Sequence, residues 1–97
     1  MRIFARKALR DFWECRPDAE GPLKAWYAEA RQANWSTPAA IRAQYGSASI
    51  LKNKRVVFNV GGNKHRLVVR IDYAAGIVFI RFVGTHKEYD AIDAEEI

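Results

Sequence analysis

The chain is predicted to be a single α+β domain: two N-terminal helices packed on one face of a curved antiparallel β-sheet, with a short C-terminal helical turn. Three observations predict it. Apolar residues recur at three-and-four spacing through the first third of the sequence, the mark of amphipathic helices. From Lys54 to Asp90, three runs rich in Val, Ile, Phe and Tyr are separated by two glycine-bearing turns, which is how an antiparallel meander is written. The 97 residues suffice for one modest core and not for two, so residues 1–97 form one domain.

Arg2-Ile3-Phe4 is short and apolar enough for an edge strand. Ala5, Ala8, Leu9, Phe12 and Trp13 then mark one face of a helix, with Arg6, Lys7, Arg10, Asp11 and Glu14 on the other. Pro17 stops it, because proline lacks the N–H and disfavours helix in the preceding residue. Asp18 is a candidate N-cap for a second helix running to about Asn34, with Leu23, Trp26, Tyr27, Ala30 and Ala33 as its core stripe. Ser36-Thr37-Pro38 starts a third helical segment that reaches Tyr45 and ends at Gly46. Ala48 to Leu51 is a candidate short strand before the meander.

The turns set the phase of the strands. Gly61-Gly62 or Gly62-Asn63 is a two-residue hairpin signal, and either choice puts Val56, Phe58 and Val60 on the core face. An Ala75-Gly76 turn would set Tyr73 against Val78, Ile71 against Ile80 and Val69 against Phe82, all on that same face. The opposite face then carries Arg55, Val57, Asn59, Arg66, Val68, Arg70, Asp72, Phe79, Arg81 and Val83, with Arg70 directly across from Arg81. Opposed arginines repel unless an anion lies between them, so this face is expected to bind phosphate. Lys54 falls on the core side by strict alternation, which places it at the strand end or past a bulge.

Charge distribution points the same way. The net charge is +5, but residues 52–87 hold eight Lys or Arg against Asp72 alone, while the last ten residues hold five acids and no Lys or Arg. A basic sheet with an acidic tail suits a polyanionic partner. No apolar run suffices for a membrane span or a signal peptide, and a lone Cys15 offers no disulfide framework, so a cytoplasmic protein without membrane contact is expected. Two histidines and one cysteine without close carboxylate partners do not predict a metal site, and no cofactor motif is present. His65, in the apolar phase near a strand end, reads as structural.

His86 and Tyr89 stand three residues apart just after the last strand, and would share one side of a helical turn. Beside several arginines they suit cleavage of an RNA phosphodiester. That reaction needs a base for the 2′-hydroxyl, an acid for the leaving 5′-oxygen and fixed positive charge for the phosphorane-like transition state. Two other readings stand beside it: a non-catalytic RNA- or ribosome-binding module using the same face, and a purely structural interaction protein.

Val57-Phe58-Asn59-Val60-Gly61-Gly62-Asn63, Arg66, Arg81 and Thr85-His86-Lys87-Glu88-Tyr89-Asp90, with Lys7-Ala8-Leu9 in the first helix, resemble the HigB toxins of bacterial toxin–antitoxin pairs, within the RelE-like superfamily. The resemblance implies a RelE-like toxin domain and a metal-independent endoribonuclease that cuts mRNA, usually on the translating ribosome, to halt translation. It also implies a cognate HigA-like antitoxin, in a complex that is a hetero-oligomer. On that reading the catalytic roles fall on Lys54, Arg66, Arg81, His86 and Tyr89. Arg66 and Arg81 would hold the scissile phosphate, with Lys54 or Arg55 stabilising its charge. His86 would be general base or acid, and Tyr89 would orient or stack on the nucleotide. Arg55, Asn59, Lys64, Arg70 and Lys87 would bind RNA around the cut.

Overall fold

The computed structural model describes residues 1–97. In chain order the elements are β1 (Arg2–Phe4), α1 (Arg6–Cys15), a single 3-10 turn (Pro17–Ala19), α2 (Glu20–Gln32), α3 (Pro38–Gln44), β2 (Ser49–Ile50), β3 (Arg55–Val60), β4 (His65–Asp72), β5 (Ile77–Thr85) and α4 (His86–Asp90).

The helical stripes do what their spacing predicts. Leu9 and Trp13 of α1 and Leu23, Trp26 and Ala30 of α2 are buried on the sheet, with Phe12, Tyr27 and Ala33 packed against them. Thr37 caps α3, its hydroxyl accepting the Ala40 N–H at 3.2 Å, and Pro38 occupies the first turn. Asp18 is not the cap of α2. The 3-10 turn runs straight into the helix, so the N-cap residue is Ala19, already in helical conformation, and an N-cap side chain needs extended backbone. The Asp18 carboxylate instead lies 3.3 Å from Nε2 of His65. His65 is 3 % exposed and packs edge-on against Phe12, a structural histidine. Phe58 sits at the centre of the core, 5.4 Å from Trp26, 5.6 Å from Trp35 and 5.2 Å from Tyr45 between ring centroids.

The strands pair in the order β1-β5-β4-β3-β2. β2 to β5 are antiparallel neighbours, whereas β1 joins β5 in parallel, so the sheet is mixed at that edge. Asn59 pairs with Arg66 and Val60 with His65, which centres the first hairpin on Gly62-Asn63 and keeps Val56, Phe58 and Val60 on the core side. Gly61 and Gly62 have φ of 65° and 69°, a left-handed conformation that glycine adopts without steric cost.

The β4–β5 pairing departs from the sequence reading in two ways. Ile71 faces Val78 and Val69 faces Ile80, a shift of two residues, because the turn spans Tyr73 to Gly76. Asp72 Oδ1 holds that turn by accepting the Ala75 N–H at 3.0 Å. An even shift keeps each side chain on its expected face. A bulge then follows: Val69 pairs with Ile80 but Val68 pairs with Phe82, leaving Arg81 as the extra residue. Beyond it the faces exchange, so Val83 packs into the main core and Phe82 turns to the outer face. Arg81 therefore does not oppose Arg70. The like-charged pair across the sheet is Arg55 and Arg70.

Nor is the outer face one continuous cationic surface. Val57 and Val68 are buried on it, with Ala94, in a second apolar cluster completed by Leu51, Phe82, Tyr89, Ile92 and Ile97. The C-terminal segment crosses the middle of the sheet and is tied down at the start of β3. Arg55 donates through Nε to the Ile97 main-chain oxygen at 2.8 Å and through Nη1 to the Asn53 oxygen at 2.7 Å. Asn53 Nδ2 donates to the Glu95 oxygen at 3.1 Å, and the Lys52 N–H to the Glu95 carboxylate at 3.2 Å. The acidic tail thus uses part of the basic charge internally and divides the outer face into two ends.

Candidate functional site

At the α4 end of the sheet, β5 passes directly into α4 through a capping box. Thr85 Oγ1 accepts the Glu88 N–H at 3.2 Å and Glu88 Oε1 accepts the Thr85 N–H at 2.8 Å. Hydrogen bonds from Thr85 hold the Glu88 carboxyl below its ordinary range, so this end of the helix is pinned at neutral pH. The His86 N–H donates to the Lys64 carbonyl at 3.3 Å, which joins α4 to the first hairpin. Arg66 lies between Asn59 on β3 and Gly84 on β5, and its Nη1 donates to the Asn63 and His65 carbonyls at 3.0 and 3.3 Å. Nε and Nη2 of Arg66 make no hydrogen bond within the protein and are available to an anion.

His86, with its side chain 57 % exposed, places Nδ1 3.4 Å from Asp90 Oδ2. Asp90 lies on the Nδ1 side of the ring, and Nε2 makes no hydrogen bond within the protein. Lys64 and Lys87 are both exposed. The structure thus brings together Asn59, Lys64, Arg66, His86 and Lys87. Tyr89, three residues beyond His86, turns inward and packs half-buried over the second apolar cluster.

The remaining sequence-predicted residues stand elsewhere. Lys54 is exposed in the turn before β3, where it and Asn53 adopt left-handed φ of 60° and 59°. Its carbonyl accepts the Ile71 N–H at 2.9 Å, so Lys54 is level with Ile71 while His86 is level with Lys64. Seven residues of strand separate those levels, roughly 23 Å. Arg55 is occupied by the C-terminal segment, and the Arg70 guanidinium lies 5.6 Å from the centre of the Phe79 ring. Arg81, exposed at the bulge, is between the two ends. No helix is long and apolar enough to cross a membrane.

A family model described as HigB_toxin, the RelE-like toxic component of a toxin–antitoxin system, matches residues 19–92. The chain belongs to this family. It is 34 % identical over 96 residues to the protein of Escherichia coli K12 named mRNA interferase toxin HigB, covering 97 % of this chain and 92 % of that one. The Shigella flexneri protein named mRNA interferase HigB matches to the same extent. An mRNA interferase HigB of Escherichia coli O6:H1 is 29 % identical over 94 residues, 95 % of this chain and 91 % of the relative.

In this HigB-family chain the two ends of the outer face differ in character. The α4 end groups a histidine–aspartate pair with cations, whereas the β1 end carries Phe4, Phe79 and Arg70 in one line. Asp90 is absent from the sequence-predicted set although Thr85-His86-Lys87-Glu88-Tyr89-Asp90 contains its signal, the i, i+4 spacing from His86 on a helix. Phe4 carries no such signal, because its neighbour is fixed only by the parallel pairing of β1 with β5. Two surface hollows, of about 460 and 440 Å³, lie between α2 and α3 and between α1 and β5, and neither is lined by His86 or Arg66.

Proposed function

We propose that the chain is an mRNA interferase whose active site is the α4 end of the sheet, built from His86, Asp90, Arg66 and Lys64. The observation that carries this is the exposed His86–Asp90 pair beside an arginine with free donors. His86 Nε2 takes the proton of a 2′-hydroxyl, and the resulting oxyanion attacks the adjacent phosphorus. The bond to the 5′-oxygen breaks, and that oxygen takes a proton from Lys64, whose carbonyl holds the His86 amide. Arg66, through Nε and Nη2, stabilises the charge that grows on the non-bridging oxygens. The products are a 2′,3′-cyclic phosphate and a 5′-hydroxyl, and no step calls for a metal or a cofactor.

Asn59, Arg81 and Lys87 hold RNA next to the cut, while Lys54 and Arg70 contribute positive charge further along the strand and Arg55 stays tied to the C-terminal segment. Tyr89 fixes α4 on the sheet and, through its partly exposed ring, borders the nucleotide at the cut. The open shape of this end, outside either surface hollow, suits an extended single strand presented by the translating ribosome rather than a closed pocket. A HigA-like antitoxin neutralises the chain in a hetero-oligomeric complex, within the cytoplasm where mRNA is translated.

The test is growth arrest and mRNA cleavage by His86→Ala and Arg66→Ala variants, with and without translation in a purified system. Loss of cleavage in both with folding intact is expected, and cleavage that depends on translation. Full cleavage by both variants would refute the site, and binding to RNA without any cut would favour a non-catalytic module.

A further inference from the structure

The sheet register sets four side chains in one line across the β1 end of the outer face. Phe4 pairs with Phe79, Phe79 with Arg70, and Arg70 with Arg55. The Phe4 and Phe79 rings are 6.1 Å apart with 23° between their planes. The Arg2 guanidinium lies 5.4 Å from the Phe4 ring centre, and that of Arg70 lies 5.6 Å from the Phe79 ring centre. The line therefore runs cation, ring, ring, cation. Phe4 is 45 % exposed, the one large hydrophobic side chain so exposed, and neither ring belongs to either apolar cluster.

We propose that Phe4 and Phe79, flanked by Arg2 and Arg70, form a stacking site for unpaired bases of the RNA on one side of the cut; this rests on the nuclease reading above. Flat aromatic and guanidinium groups accept any base by its face, which is how single-stranded nucleic acid is held without sequence readout. Neither Arg2 nor Arg70 is ion-paired or hydrogen-bonded through its side chain, so both can leave the rings for backbone phosphates when bases arrive. The acid on this face, Asp72, is engaged with the Ala75 N–H in the β4–β5 turn. Arg81, exposed at the bulge of β5, lies between this row and His86, and gives the strand a cationic route along β5 that avoids the C-terminal segment covering the centre. Duplex RNA, its bases already stacked, has nothing to offer these rings.

The probe is a 2′-O-methyl single-stranded oligoribonucleotide, which cannot be cleaved, titrated by fluorescence anisotropy against the parent, Phe4→Leu and Phe79→Leu. Leucine keeps the apolar volume and removes the flat face. Each substitution is expected to weaken binding about tenfold, within the range for loss of one base–aromatic stack. An oligonucleotide made abasic at the flanking positions, and a duplex, are expected to bind parent and variants alike. Phe4 is at the surface, so its variant carries the test even if Phe79→Leu folds poorly. Unchanged affinity in a folded Phe4→Leu protein that still cleaves mRNA overturns this inference and leaves the nuclease reading standing. Equal weakening for the abasic oligonucleotide overturns it as well. Lost affinity for the antitoxin with RNA binding intact would make the row a protein-docking surface instead. A parent protein that neither binds single-stranded RNA nor cuts mRNA during translation overturns both.

Discussion

Gly84 faces Arg66 across the sheet, one residue from the start of the capping box, and has no room for a side chain. A Cβ there would stand 2.5 Å from Cζ and 3.0 Å from Cε1 of Phe82, and 3.2 Å from the Glu88 carboxylate. The Phe82 ring packs on the second apolar cluster, so Gly84→Ala must push it off Val68 and Val57 or displace α4. Overpacking of this kind costs about 1–3 kcal/mol. Phe82→Leu alone, a partly buried ring, should cost about 1 kcal/mol. Because the shorter leucine removes the clashing ring tip, the double variant should be more stable than the sum of the two losses by about 1–2 kcal/mol. Urea unfolding followed by far-UV circular dichroism measures all four proteins. Strictly additive losses would refute the close approach of Phe82 to Gly84.

Two further predictions follow from other parts of the molecule. Phe58→Ala, which empties the space among Trp26, Trp35 and Tyr45, should lower stability by about 3–5 kcal/mol in urea unfolding, and a loss below 1 kcal/mol would contradict its central place in the core. Glu88 has its carboxyl lowered from the ordinary 4.5 by hydrogen bonds to Thr85, so its contribution is present above that value and is lost as pH falls through the lower folded one. Amide protection over residues 86–90, the exchange rate taken relative to its intrinsic value at each pH, should therefore fall as pH drops below 4.5 in the parent and not in Glu88→Gln, and identical protection profiles would contradict the cap.

The architecture was legible where local chemistry dictates it. Pro17, Thr37-Pro38 and Gly62-Asn63 punctuate the chain as their backbone preferences require, and the α1 and α2 stripes face the core. The bulge was not legible, because Val78-Phe79-Ile80 and Phe82-Val83 are apolar in both phases and alternation cannot distinguish them. The covered outer face did leave a trace. Val56-Val57-Phe58 and Leu67-Val68-Val69 are unbroken apolar runs, which suit strands buried on both sides. Its partner, Ile92, Ala94 and Ile97, is sparse within an acidic tail, so no periodicity announces it. Lys54 stands in the turn before β3, a strand end rather than a bulge, and its separation from His86 depends on hairpin register and so emerges only from the folded chain. Arg66, Asn59 and His86 suit RNA by residue type alone; that they share one end of the sheet follows from the Asn59–Arg66 pair and the His86–Lys64 hydrogen bond.

The central claim is that His86, oriented by Asp90 and set beside Arg66, cuts RNA by way of its own 2′-hydroxyl. The most direct measurement is the chemistry of the cut ends, read by mass spectrometry on mRNA cleaved by the parent, Asp90→Asn and His86→Ala proteins. The parent should give 2′,3′-cyclic phosphate and 5′-hydroxyl ends, His86→Ala the same ends about 10²–10⁴-fold more slowly, and Asp90→Asn an intermediate rate. A 5′-phosphate end, or an undiminished rate in His86→Ala, would contradict the claim.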